Sequence, residues 1–111
     1  MPYDEELAER IKALIGGGER LTEKKMFGGL AFLIGGNMAI AASGECGILV
    51  RVSPQETYSL VSSSKAQIAI MQGRPMDGWL RVPPEELRTK PQLAKWVTIG
   101  TTYARSLPPK R

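Results

Sequence analysis

Two apolar runs flank a pair of glycines in the stretch Ala31-Phe32-Leu33-Ile34-Gly35-Gly36-Asn37-Met38-Ala39-Ile40-Ala41. Glycine adopts the positive φ angles of a tight turn without steric cost, because it has no Cβ atom. The stretch therefore predicts a β-hairpin. A third apolar run, Ile48-Leu49-Val50-Arg51-Val52, is predicted to pair next and to make the sheet antiparallel.

A helix is predicted before these strands, at Asp4–Ile15. Its apolar residues recur at helical spacing, its first turn is acidic, and Gly16-Gly17-Gly18 follows as a stop signal. A glycine run cradles phosphate when a strand precedes it and a helix follows it. Here that order is reversed, so the glycines are predicted to end the helix.

The second half of the chain predicts a helix, two strands and a longer helix. Ser53-Pro54-Gln55-Glu56 has the residue types of a capped helix start, and Thr89-Lys90-Pro91-Gln92 repeats them. Between them, Gln67–Met71 and Trp79–Val82 are predicted strands. One apolar stripe then follows at steps of three and four residues and predicts a long helix that covers the sheet, with Trp96 and Tyr103 buried. The stripe consists of Leu93, Trp96, Val97, Gly100, Tyr103, Ala104 and Leu107.

The order of these elements predicts an α+β fold of two layers. An antiparallel sheet of about five strands is covered by helices in the order α-β-β-β-α-β-β-α. The length of 111 residues suits a single domain over residues 1–111, with 107–111 expected as a flexible tail. The 42% hydrophobic and 23% charged residues are typical of a globular protein.

The numbers of cysteine and histidine residues, and the lengths of the apolar runs, restrict the classes of function open to this chain. One cysteine, Cys46, forms no internal disulfide, and the absence of histidine removes the usual ligands of a transition metal. We therefore expect no metal and no cofactor. No apolar run approaches the roughly 20 residues that span a bilayer, and the first residues are acidic where a signal peptide is basic. A cytoplasmic protein without membrane contact is expected.

Catalytic motifs are weak in this sequence, and we expect a protein that is not an enzyme. Ser62-Ser63-Ser64-Lys65 matches the S-x-x-K pattern of penicillin-recognising enzymes, but their S-D-N and K-T-G partners are absent. Cys46 has no histidine to lower its pKa and is interpreted as a buried apolar residue. Glu23, beside Lys24 and Lys25, has no second carboxylate at a spacing that defines a reaction, and a solvated turn before the first strand is predicted there instead.

The net charge of +4 lies mostly beyond Gly73. Such a surface binds nucleic acid or another polyanion, or only keeps a small protein soluble. No helix-turn-helix, zinc finger or RNA-binding signature accompanies the charge. We expect any nucleic-acid binding to be weak.

Two denser segments carry a resemblance: Thr22-Glu23-Lys24-Lys25-Met26-Phe27-Gly28-Gly29-Leu30-Ala31-Phe32 and Gly73-Arg74-Pro75-Met76-Asp77-Gly78-Trp79-Leu80-Arg81. With Asn37-Met38 and the closing helix, they resemble the N-terminal domain of the TfoX/Sxy family of bacterial competence regulators. The resemblance implies an antiparallel sheet with helices. It also implies co-activation of transcription at competence promoters, with a partner in the transcription machinery. In the full-length regulators a helical domain follows, whereas this sequence ends at Leu107-Pro108-Pro109-Lys110-Arg111.

Seven residues of these segments and of the third strand are candidates for binding. If they converge, the cations and the flat aromatic rings form a site for a carboxylate, a phosphate or an acidic protein. The alternative is that the aromatic rings fill the core and the cations merely flank it. The candidates are Lys24, Lys25, Phe27, Arg51, Arg74, Trp79 and Arg81.

A homodimer is also expected. Ala31–Ile34 and Ile48–Val50 are apolar at successive positions, whereas a strand with one wet face alternates apolar and polar residues. Both faces of the sheet are therefore predicted to be covered. A second copy of the chain in a two-fold arrangement is the simplest cover.

Overall fold

A computed structural model describes residues 5–16, 21–26, 29–42, 47–71 and 73–108. In this part of the chain, six strands form one antiparallel sheet in the order β1-β2-β3-β4-β6-β5. The predicted α+β class and element order are confirmed, with six strands where about five were expected. The elements are α1 (Glu5–Ile15), β1 (Leu21–Met26), β2 (Gly29–Ile34), β3 (Asn37–Ala42), β4 (Ile48–Arg51), α2 (Thr57–Ser63), β5 (Gln67–Met71), β6 (Arg74–Val82) and α3 (Lys90–Ser106).

The hairpin of β2 and β3 forms at the glycine pair, as predicted. Gly35 and Gly36 have φ angles of 59° and 82°, and Ile34 pairs with Asn37 across the turn. Two consecutive positive φ angles give the turn a twist that matches the twist of the flanking strands. The local sequence is therefore sufficient to define this part of the sheet.

The predicted turn at Glu23, Lys24 and Lys25 is wrong, because these residues lie in β1. Leu21 pairs with Ile34 and Met26 pairs with Gly29, in a regular antiparallel register. Charged residues have a low preference for strands, and that preference misled the prediction. At the edge of a sheet, however, charged side chains reach water and also discourage further pairing.

The sheet has two apolar faces with different covers. On the helix-side face, Phe32, Ile40, Val50 and Leu80 form one cross-strand row and pack with residues of all three helices. On the opposite face, which we call the helix-free face, no residue of the described helices joins the apolar cluster. That cluster consists of Ala31, Met38, Ala41, Leu49 and Ala69, with Leu33 and Trp79 packed against it.

Burial on both faces agrees with the unbroken apolar runs in the sequence. On the helix-free face, Ala31 is 0% exposed and Leu49 is 5% exposed within a single chain. The central strands thus have two dry faces before any second chain is considered.

The two predicted helix starts differ in the structure. Thr89 caps α3 with the expected capping box, since its Oγ1 accepts from the Gln92 N–H and Gln92 Oε1 accepts from the Thr89 N–H. The predicted box at Ser53 and Glu56 is wrong. There the Ser53 side chain makes no capping hydrogen bond, and Pro54–Glu56 form a 3-10 turn closed by a bond from the Glu56 N–H to the Ser53 carbonyl.

Two earlier expectations fall partly or wholly outside the described residues. Cys46 is outside them, as are residues 109–111 of the expected tail. At the start of that tail, the Pro108 carbonyl accepts a hydrogen bond of 2.9 Å from Asn37 Nδ2. Asn37 is buried at the first position of β3, so this bond joins the segment after α3 to the sheet.

Candidate binding site

Arg51 and Trp79 face each other across the pairing of β4 and β6. They are register partners, and Arg51 Cζ lies 5.1 Å from the centroid of the Trp79 ring. Residues opposite one another in an antiparallel pair project from the same face, and a cation over an indole ring is attracted to its π electrons. The two candidates are therefore brought together by the register of the sheet.

Tyr103 of α3 supplies a second aromatic ring. The centroid of this ring lies 5.6 Å from Arg51 Cζ. Its complete burial was expected from the apolar stripe, and that expectation is wrong, because Tyr103 is only half-buried. Trp96, on the same stripe, is buried as expected. A tyrosine near the end of an amphipathic stripe keeps its ring on the core and extends its polar tip outward, and this residue type was the signal available in the sequence. We call Arg51, Trp79 and Tyr103 the Arg51 cluster.

Gly78 and Thr57 hold Trp79 in position. Gly78 has a φ of 87°, and its carbonyl accepts from the Val52 N–H at 2.8 Å. The Gly78 N–H donates to Thr57 Oγ1 at 2.9 Å, and the Thr57 hydroxyl lies 3.4 Å from the Ser53 carbonyl. Thr57 is fully buried, and these bonds join α2 to β6 at the residue immediately before Trp79.

The charge of Arg51 has no carboxylate partner among the described residues. The side chain is half-buried, and two aromatic rings occupy part of the space that water would otherwise fill. A guanidinium group retains forked N–H donors when rings contact its face, and carboxylates and phosphates accept from those donors in pairs. The arrangement is suited to receive an anion at the edge of the guanidinium group.

Lys24 and Arg81 lie on the same face of the sheet as Trp79, on one cross-strand row. The row runs from Lys24 through Ala31, Ala41 and Leu49 to Arg81. Four strand spacings of about 4.8 Å separate the Cα atoms of its ends by about 19 Å. Two cations thus flank an apolar strip on the helix-free face.

The other candidates are not brought to this face. Lys25 pairs with Leu30, which packs with the helix-side cluster. Lys25 therefore projects from the helix-side face. Arg74 is exposed at the far end of β6, beside Met71 of β5. Phe27 lies outside the described residues. The described residues therefore do not bring all seven candidates together in one pocket.

A separate depression of about 700 Å³ lies at the opposite end of β6. Arg81 is the one candidate residue in its lining, where Lys65, Gln67 and Glu85 also contribute polar groups. Both signs of charge are present there. Its chemistry therefore differs from the uncompensated cation of the Arg51 cluster.

Glu23 makes an ion pair rather than an acid/base site. Its Oε2 lies 3.1 Å from Lys12 Nζ, and this contact joins β1 to α1. The hydrogen bond and the charge of Glu23 raise the pKa of the Lys12 ammonium above its ordinary value. Both side chains are well exposed, so the pair contributes little to stability.

Comparison with known proteins places this architecture in a family. The model of the TfoX N-terminal domain matches residues 13–104. The chain belongs to that family. The match to the TfoX N-terminal domain runs from α1 into α3 and includes every residue of the Arg51 cluster. No curated protein and no solved structure matches the chain.

Two features of metal-binding and membrane proteins are missing from the described residues of this TfoX N-terminal domain. No group of three or more histidine, cysteine, aspartate or glutamate side chains there is arranged to hold a metal ion. Among the described helices, none combines the length and the apolar character needed to cross a bilayer.

Proposed function

We propose that this TfoX N-terminal domain is a non-catalytic regulatory module of the bacterial cytoplasm. It binds an acidic segment of a partner protein, a component of the transcription machinery, at the Arg51 cluster. Membership of the family supports the regulatory role, because the regulators that the sequence resembles act in transcription for competence. The half-buried guanidinium of Arg51, held by two rings and lacking a carboxylate partner among the described residues, supports the binding role.

The surroundings of Arg51 favour a protein segment over a free anion. Trp79 is half-buried on the helix-free face and offers apolar surface beside the charge. A segment that carries a carboxylate and an apolar side chain two residues apart satisfies both features, because alternate residues of an extended chain project to one side. An inorganic anion satisfies the charge alone.

The test is a titration of the domain with a short peptide in which glutamate and leucine lie two residues apart. We expect the indole N–H resonance of Trp79 to shift on binding and that of the fully buried Trp96 to stay in place. Arg51→Gln should weaken binding about tenfold or more, because hydrogen bonds to charged groups contribute about 1.5–3 kcal/mol. Fluorescence anisotropy of the labelled peptide measures the affinity.

Arg74→Gln is the matched control. It removes one positive charge from an exposed arginine at the far end of β6, so long-range attraction falls by the same amount in both variants. Equal weakening by the two substitutions would mean that the peptide responds only to net charge, and the Arg51 site would be rejected. Tighter binding of duplex DNA than of the peptide, lost in Arg51→Gln, would replace the protein partner with nucleic acid.

A further inference from the structure

One edge of the sheet carries charged residues that discourage pairing with another chain, and the other edge does not. The outer strand β1 carries Glu23, Lys24 and Lys25 at three successive positions. Charged residues on an edge strand oppose pairing with a further strand, because the approaching chain would bury or repel them. The opposite outer strand, β5, has the sequence Gln67-Ile68-Ala69-Ile70-Met71, without charge or proline. The described residues therefore leave one protected edge and one unprotected edge.

Exposed apolar side chains concentrate around the unprotected edge. Ile70 on β5 is 63% exposed, and Met76 on the neighbouring strand is 36% exposed. Tyr58 is 64% exposed, and its hydroxyl lies 3.4 Å from Asp77 Oδ1 beside Met76. These three are the large exposed apolar residues of the described chain. Ile70 pairs with Pro75, so the patch continues from β5 onto β6.

We propose that two copies of the chain pair through β5, in an antiparallel two-fold arrangement centred on Ala69. Each Ile68 then lies opposite Ile70 of the second copy, and each Gln67 lies opposite its Met71. Ile68 packs with the helix-side cluster, so the exposed Ile70 gains an apolar neighbour that is already fixed in place. The two sheets continue as one across the axis.

A second copy fits this edge better than a strand of unrelated sequence. A two-fold axis requires a surface that is complementary to itself, and the order Ile-Ala-Ile around Ala69 pairs with itself in antiparallel register. The net charge of +4 on each copy opposes association in general. The five paired positions contain no charge, so no like charges meet in the ladder, as they would at β1.

The helix-free face does not need a second copy to be covered. Its central residues, such as Leu49, are already buried within one chain. The homodimer expected from the sequence is therefore assigned to an edge rather than to a face. Arg51 is on β4, two strands away, so dimerisation is independent of the function proposed above.

Sedimentation velocity at micromolar concentration tests this arrangement. We expect twice the chain mass of 12.1 kDa for the unmodified protein. Ile70→Lys should yield monomers, because it places a cation opposite Ile68 of the second copy. Its side chain is largely exposed, so the monomer should keep its fold, which circular dichroism checks. Thr102→Lys is the matched control at an exposed position of α3, outside this patch, and should remain dimeric, as should Arg51→Gln.

Hydrogen exchange supplies a second readout on the unmodified protein. The outward amides of Gln67–Met71 should become more protected as concentration rises, and those of Leu21–Met26 should not change. Added salt should leave the dimer intact, in contrast to peptide binding at Arg51. A monomer at all concentrations overturns the proposal. A dimer that survives Ile70→Lys, or a dimer equally sensitive to Thr102→Lys, also overturns it, as does hydrogen exchange in β5 that does not change with concentration.

Discussion

Gly100 lies where α3 passes closest to the sheet. A Cβ atom built at this position would come 2.5 Å from the carbonyl oxygen of Ala39 and 2.9 Å from Val50 Cγ2. Both neighbours are buried on the central strands, and one of them is backbone, so neither moves easily. The glycine sets the distance between helix and sheet, and this close approach places Tyr103, one turn further along α3, within reach of Arg51.

Gly100→Ala is expected to destabilise the domain. Alanine favours a helix over glycine by about 1 kcal/mol, but overpacking a dense core costs about 1–3 kcal/mol, so the overlap should prevail. Urea denaturation measures the change. Thr102→Ala, at an exposed position of the same helix, should alter the free energy of unfolding by less than about 0.5 kcal/mol. A stabilised Gly100→Ala variant would show that helix and sheet separate more easily than their packing indicates.

At the scale of the elements, two sequences of similar composition behave differently at helix starts. Thr89 closes its capping box onto Gln92, and the helix that follows has 17 residues. Ser53 precedes a 3-10 turn of three residues, and α2 begins only at Thr57. Here the backbone carbonyl of Ser53 accepts the hydrogen bond from the Glu56 N–H, and the serine hydroxyl has no capping role.

Thr89→Ala should lower the free energy of unfolding by about 1 kcal/mol, because the amides of the first turn of α3 lose their acceptor. Ser53→Ala should have a much smaller effect, since its side chain caps nothing. Thermal and urea unfolding of both variants measure the difference. Equal losses would indicate that Ser53 caps α2 in solution.

The sequence predicts those features that depend on neighbouring residues. The Gly35-Gly36 turn and the Thr89 cap each lie within four residues, and both form as expected. Lys24 and Lys25 lie in a strand because of their position at the edge of the sheet. The strand preferences of these residue types carry no information about that position. The contact of Arg51 with Tyr103 depends on register and on the approach of α3, and both arise only from the assembled fold.

At the scale of the whole molecule, the basic residues of the C-terminal half do not form one stripe. Arg74 and Arg81 lie on β6, whereas Lys90, Lys95 and Arg105 are spread along α3. The two strand arginines are separated further, since Arg81 belongs to the row on the helix-free face. A groove-reading surface requires its cations on one side of one element.

We therefore expect duplex DNA to bind weakly and without base specificity. Since phosphate contacts release counterions, raising the salt from about 50 mM to about 200 mM should remove most of the affinity. Fluorescence anisotropy with two unrelated duplexes measures this. Sequence-specific binding that persists at the higher salt would contradict the expectation.

The strand order also predicts which strand pairings form first during folding. Strands β1 to β4 are neighbours both along the chain and in the sheet, so each pairing closes a short loop. Strand β6 reaches β4 only after the chain has passed through α2 and β5, and closing that longer loop costs more entropy. The meander should thus form early and the β4–β6 pairing late. Thr57, which joins α2 to Gly78, is then expected to act mainly after the rate-limiting step, so its hydrogen bonds should slow unfolding far more than they speed refolding.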